Sequence, residues 1–193
     1  MKILKLRRVI IFIGVLLFVF GVGKIIYKFI EIEIDNKKIS RNIKEWDSKK
    51  IEVNKNDKNK INVDGKIIVG KIIVKKTGEQ IPIIKGATEE NLKNGATLYE
   101  NGIYPGDKGT AIILGHRETT FGFLEDIKDN DEIEIEDLKN TYKFKVKKDY
   151  ITNPEDSSIF EQKNYPSLTL ITCYPFHYLG NAPDRFIVNL DLI

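Results

Sequence analysis

Between Val9 and Gly23 the chain runs for fifteen residues without a charge, V-I-I-F-I-G-V-L-L-F-V-F-G-V-G, a stretch with no place on the surface of a soluble domain. Lys2, Lys5, Arg7 and Arg8 precede it. Lys24 and Lys28 follow, and their long stems can reach out of a bilayer while Ile25, Ile26, Tyr27, Phe29 and Ile30 extend the apolar surface. One membrane helix over 9–30 fits this pattern. A cleaved signal peptide begins the same way, but no small-x-small cleavage site follows, Gly21-Val22-Gly23 being the nearest approach. The expectation is an uncleaved single-pass anchor, with the basic segment 1–8 in the cytoplasm and everything after residue 30 on the outer side.

The anchor also accounts for the net charge of +3. Together with the basic segment before it, residues 1–30, it holds six of the 31 basic residues and no acid, leaving 25 basic against 28 acidic residues in the remainder. A mildly acidic remainder with interspersed signs lacks the concentrated basic face of a nucleic-acid binder. From Glu31 to Lys60 the chain is rich in Glu, Asp, Asn, Lys and Ser, with no Gly or Pro, and reads as a charged linker or stalk. Ile32, Ile39, Ile43 and Trp46 lie near helical spacing in its first half, whereas Asn54 to Lys60 reads as solvated. Trp46 is either a docking point on the following domain or an exposed aromatic.

From Ile61 onward short β-type runs alternate with turn residues: 67–74, 81–84, 110–114, 131–136, 141–146, 168–172 and 186–192. Glu132-Ile133-Glu134-Ile135-Glu136 and Tyr142-Lys143-Phe144-Lys145-Val146 alternate cleanly, which sends one face into a core and the other into water. Such a pattern predicts an all-β barrel or sandwich with a few short helical pieces near 88–93, 121–127 and 156–160. The sequence has no internal repeat, phosphate-binding loop, dinucleotide glycine pattern or metal-binding Cys/His cluster.

Three residues stand out chemically. Cys173 is the only cysteine, placed at the end of Ser167-Leu168-Thr169-Leu170-Ile171-Thr172 and followed by Tyr174-Pro175, which cannot continue a central strand. It serves packing or reactivity, not an intramolecular disulfide. His116 also follows an apolar strand, in Leu114-Gly115-His116-Arg117, and an imidazole near a thiol is the usual means of activating it. The second histidine, His177, lies four residues after Cys173, and spacing does not choose between the two. Arg185, at the mouth of the last strand, is placed to donate to a developing oxyanion or a substrate carbonyl. Thr172 has a hydroxyl that can join it at the substrate, set against the ordinary preference of Thr for strands.

Taken together, Thr169-Leu170-Ile171-Thr172-Cys173, Gly115-His116-Arg117 and Arg185 resemble the sortases, membrane-anchored cysteine transpeptidases of Gram-positive bacteria. Tyr174-Pro175-Phe176, Gly180, Ala182-Pro183 and Arg185-Phe186-Ile187-Val188 are most similar to the class D branch. The resemblance covers 61–193 and implies an eight-stranded β-barrel with a groove near Cys173 covered by the segment 152–166. It further implies Cys173 as nucleophile, His116 as general acid and base, and Arg185 as oxyanion or substrate-holding residue, with His177 outside the catalytic set.

The implied substrates are exported proteins carrying an L-P-x-T-G or L-P-x-T-A sorting signal, and the implied acceptor is an amine of a cell-wall peptide or its lipid-linked precursor. No metal or organic cofactor is required. Glu89, Glu90, Asp126, Asp129 and Asp131 are acidic, but their spacing matches no calcium loop. A membrane-tethered cysteine hydrolase and a non-catalytic extracellular β-module are the alternatives of other classes.

Overall fold

The computed structural model describes residues 2–56, 61–178 and 180–193. Its first element, α1, is a helix over Lys2–Asn56. No proline interrupts that length, and Gly14, Gly21 and Gly23 fall in the apolar part, where glycine is tolerated in a helix. By length and composition α1 is able to cross a membrane, with a window of mean hydropathy 2.5. The apolar side chains of its 10–30 stretch are exposed, Phe18 being 72% and Phe29 69% so. Residues Met1–Asp35 form one compact unit, and Asn36–Ile193 form a second that holds the end of α1 and every strand.

The charged run after residue 30 is thus helical through Asn56, while the last residues of the expected solvated stretch, 57–60, lie outside the described residues. Within the second unit α1 is packed against the sheet. Asn42 and Trp46, one helical turn apart, are 2% and 0% exposed. Trp46 is a docking point: it packs with Ile61, Val63, Ile68 and Ile84, and Leu138 closes the cluster. Around the indole, Asn42 Nδ2 donates to the Asn94 carbonyl at 2.9 Å, Lys50 Nζ to the Asp137 carbonyl at 2.8 Å, and Arg41 pairs with Asp64.

A charged network borders the same contact. Lys71, almost buried, meets Asp47 at 2.7 Å and Glu136 at 3.5 Å, while Glu136 also meets Lys50 at 3.1 Å and the Trp46 indole N–H at 3.4 Å. Burial works to raise the Glu136 carboxyl, but the Lys50 and Lys71 cations and the indole donor outweigh it and hold it below its ordinary value of 4.5. A carboxyl depressed on folding stabilises the fold above its unfolded pKa, and that contribution is lost as pH falls through the folded value. In urea unfolding, wild type is therefore expected to exceed Glu136→Gln in stability at neutral pH, and the gap to close below about pH 4.5. A gap independent of pH would remove the carboxylate from the docking energetics.

Nine strands follow among the described residues: β1 (Ile61–Val63), β2 (Lys66–Val74), β3 (Gln80–Lys85), β4 (Ala96–Leu98), β5 (Gly109–Leu114), β6 (Glu132–Glu136), β7 (Thr141–Thr152), β8 (Pro166–Tyr174) and β9 (Asp184–Leu192). They hydrogen-bond in the order β1-β2-β3-β4-β5-β8-β9-β7-β6, and β6 pairs back onto β2. That last pairing closes β2 to β9 into the expected eight-stranded barrel, with β1 as a short flap on β2. The interior is filled by the alternate residues of each strand, among them Ile72, Ile83, Ala111, Ile113, Phe144, Leu168, Leu170, Val188 and Leu190.

Two differences from the sequence expectation have simple causes. Strands β1 and β4 lie outside the expected runs, because Ile61-Asn62-Val63 and Ala96-Thr97-Leu98 are too short to show a period, although all three residues of β4 are buried. Strand β7 runs six residues past Val146, because an irregularity between Val146 and Lys148 shifts its register on β9 and resumes the pairing through Thr152. The three short helical pieces appear as α2 (Glu89–Leu92) and as 3-10 turns at Gly122–Asp126 and Ser157–Phe160.

Candidate active site

Three adjacent strands carry the residues singled out in the sequence. β5 and β8 run parallel, with Ile113 beside Leu170 and Leu114 beside Ile171, and β8 and β9 run antiparallel, with Cys173 directly opposite Arg185. Side chains that face each other across an antiparallel pair leave the same side of the sheet. Leu168, Leu170 and Val188 fill the barrel, so Cys173 and Arg185 belong to the other set, with Ile171 and Ile187 on the outer face. His116 lies two residues beyond Leu114, which puts its backbone at the level of Cys173 on the opposite flank. Register alone therefore sets the cysteine between the histidine turn and the arginine.

The outer face next to this trio is apolar. Ile112, Ile171, Ile187 and the loop residue Ile159 form a separate cluster, with Leu114 and Tyr150 against it. Ile159 comes from the 3-10 turn in the long connection between β7 and β8, so that connection lies over the strands that lead to Cys173. Lys163 fastens it to Asp191 at 2.8 Å, and the Gln162 side chain accepts from the Thr110 N–H at 3.0 Å. The thiol is half-buried at the end of this seam. An apolar cavity of about 300 Å³, lined by Ile68, Ile83, Ile135, Leu138 and Tyr104, belongs to the other end of the barrel and contains none of these residues.

The histidine turn is tightly built. The Gly115 N–H donates to the Ile171 carbonyl at 3.1 Å, and the Thr172 hydroxyl donates to the Gly115 carbonyl at 2.8 Å. The His116 N–H donates to Thr120 Oγ1 at 3.1 Å, and its carbonyl accepts from the Phe121 N–H at 2.8 Å. A side chain at position 115 would meet the Phe121 ring at 2.6 Å, so glycine is what lets the buried Phe121 pack beneath the turn. Thr172 is 2% exposed, with its hydroxyl committed to Gly115. The structure thus corrects the expectation that this hydroxyl faces substrate: the strand alternation turns Thr172 toward the barrel.

Arg185 is half-buried, and its Nη1 donates to the Asp184 carbonyl at 3.0 Å and the Ala182 carbonyl at 3.5 Å. Its Nε and Nη2 have no hydrogen bond among the described residues. His177 stands apart on the connection between β8 and β9, 86% exposed, with Nε2 3.1 Å from Glu125. At the root of that connection Tyr174, Phe176 and Phe186 form an aromatic cluster, with ring centroids 5.4 to 6.3 Å apart. Sequence pattern does not show this cluster, since Phe186 lies ten or more residues from the other two, nor the burial of Arg117 within the Gly115-His116-Arg117 motif. No group of three or more His, Cys, Asp or Glu side chains among the described residues is arranged to hold a metal ion.

Residues 72–193 match the Sortase domain family. Sortase D of Bacillus subtilis is 31% identical over 120 residues, which is 62% of this chain and 61% of the relative, so the chain spans less than two thirds of that protein. Sortase A of Bacillus anthracis is 27% identical over 97% of this chain and 96% of the relative. Among solved structures, the catalytic domain of B. anthracis SrtD aligns with a TM-score of 0.57 at 34% identity, covering 65% of this chain and 87% of that one. A sortase D transpeptidase of Clostridium perfringens aligns with a TM-score of 0.63 over 83% of this chain and 99% of that one, and at 24% identity it speaks for the fold. A closed eight-stranded barrel with cysteine and arginine paired across its last two strands, matched by family over most of its length, places the chain in the sortase family, with sequence likeness to its class D members.

Proposed function

We propose that this protein is a membrane-anchored cysteine transpeptidase that joins exported proteins to a cell-wall amine. One observation supports this reading above the rest: Cys173 and Arg185 are paired across β8 and β9 on the outer face, with the His116 turn flanking Cys173 on the other side. In the proposed reaction the Cys173 thiolate attacks the threonine carbonyl of an L-P-x-T-G or L-P-x-T-A signal. The Arg185 guanidinium, turning from the Asp184 carbonyl, stabilises the tetrahedral oxyanion. His116 protonates the departing amine, and the threonine carbonyl is left as a thioester on Sγ. An incoming amine then gives its proton to His116, attacks the thioester and releases the thiolate.

Leu114 and Tyr150, the partly exposed margin of the buried Ile112, Ile171 and Ile187 cluster, suit the leucine and proline of such a signal. The anchor over 9–30 would hold the enzyme on the same membrane face as its substrates, with the N-terminus cytoplasmic and the barrel outside. Confinement to one face raises effective concentration, so weak recognition of five residues suffices. In this reading residues 36–56 belong with the catalytic unit, and the linker proper is short.

The test uses the full chain in detergent with L-P-x-T-G and L-P-x-T-A peptides, with and without an added amine, followed by mass spectrometry. The expected result is an acyl adduct on Cys173 and a product joining threonine to the amine. Equal release of free threonine acid with and without amine would assign the protein to the hydrolases instead. A native thiol that resists alkylation, with neither peptide consumed, would favour a non-catalytic module.

A further inference from the structure

We propose that Arg117 is a positioning residue that straps the connection between β8 and β9 to the histidine turn and so fixes the walls on either side of Cys173. The proposal rests on the reading of Cys173 and His116 as the reacting pair. Arg117 follows His116 directly, yet it is 6% exposed where its neighbour Glu118 is exposed. Its Nη2 donates to two backbone carbonyls, Tyr178 at 2.9 Å and Gly180 at 3.1 Å, more than sixty residues away in sequence. Its Cζ lies 6.0 Å from the Tyr178 ring centroid, and its Nε donates to Glu118 Oε1 at 3.0 Å.

That connection has little else to hold it. Among the described residues, 175–183 make no backbone hydrogen bond outside the strands. The Phe176 ring fixes only the root, and the His177 to Glu125 contact is at the exposed tip. Arg185 reaches back to Ala182 and Asp184 from the β9 side. The far part, around Tyr178 and Gly180, is held by Arg117 from the β5 side. Two arginines thus grip one connection, and Cys173 sits at its root.

Burying a guanidinium is costly, and an apolar side chain usually stabilises such a site better. Here the cost is not fully met, since Nη1 is buried with no hydrogen-bond partner among the described residues. A residue kept at a loss to stability beside the reacting groups points to their geometry as the gain. Displacing reacting groups by about 1 Å can slow a reaction by about 10²-fold without loss of binding. Loss of the strap should therefore appear in kcat more than in KM.

The experiment compares wild type, Arg117→Gln, Arg117→Lys and Cys173→Ala, each as the full chain in detergent, by peptide kinetics, thermal unfolding and amide hydrogen exchange. Arg117→Gln is expected to lower kcat about 10–100-fold with KM within about threefold. It should speed exchange in 115–121 and 176–182 while the strands β2 to β6 keep their protection. Arg117→Lys, which keeps a donor for the two carbonyls, should recover part of both effects. Unchanged kcat and unchanged exchange in Arg117→Gln, with Cys173→Ala inactive, would overturn the strap and leave the cysteine chemistry standing. Faster exchange throughout the barrel would overturn it too, by showing a general loss of fold. Full activity in Cys173→Ala would sink the chemistry instead, and the exchange pattern alone would then decide whether Arg117 holds the connection.

Discussion

Cys173→Ala is expected to slow turnover of a sorting-signal peptide by about 10⁴-fold or more, leaving only the catalysis that binding and Arg185 provide. The thiol is half-buried and has no disulfide partner, so the same substitution should change folding stability by less than about 1 kcal/mol. His116→Gln should be of similar severity, because a thiol without its base and a base without its thiol fail at the same step. The double variant is then expected to be no slower than the worse single one. Steady-state kinetics on the three proteins decides this: losses that multiply would show that the two residues act independently, against the proposed mechanism.

Trp46→Ala should give the largest change in stability, about 3–5 kcal/mol by denaturant unfolding, because a fully buried indole is replaced by a cavity against Ile61, Val63, Ile68 and Ile84. Trp46→Phe should recover part of this, keeping most of the apolar contact but not the indole donor to Glu136. Deleting residues up to 60 should cost at least as much as Trp46→Ala. It removes Trp46 and also takes Asp47 and Lys50 away from the charged network, leaving the 9%-exposed Lys71 side chain with Glu136 alone. A truncated chain as stable as the unit from Asn36 would show that the barrel does not depend on the helix.

These two cases also mark how much was legible in the sequence. Cys173, His116 and Arg185 each close or open a strong β run, where a sheet presents a side chain to a loop, but the choice of His116 over His177 rested on the family resemblance. The alternation of 132–136 and 141–146 was legible as strands of a barrel or a sandwich, and closure entered only through the family resemblance. Trp46 was ambiguous for a physical reason. Its helix is rich in charge, and beside the half-buried Ile39 and Ile43 the docked end fully buries only Asn42 and Trp46, of which one is polar and finds its partner in a distant carbonyl. Thr172 was misjudged because a one-residue step along a strand reverses the face, and the face is fixed only once Leu168 and Leu170 are known to point inward. The Gly115-His116-Arg117 motif was legible but the burial of Arg117 was not, because what buries it is a loop more than sixty positions away.

The opposition of Cys173 and Arg185 across β8 and β9 limits how such a chain can diverge. Adding or losing one residue inside either strand would turn its half of the pair into the barrel, so length changes there should be purged from descendants. The connections at 153–165 and 175–183 carry no such parity constraint. New peptide preferences can therefore accumulate by insertion and substitution in those two loops, while the reacting groups are inherited unchanged from the weave of the sheet.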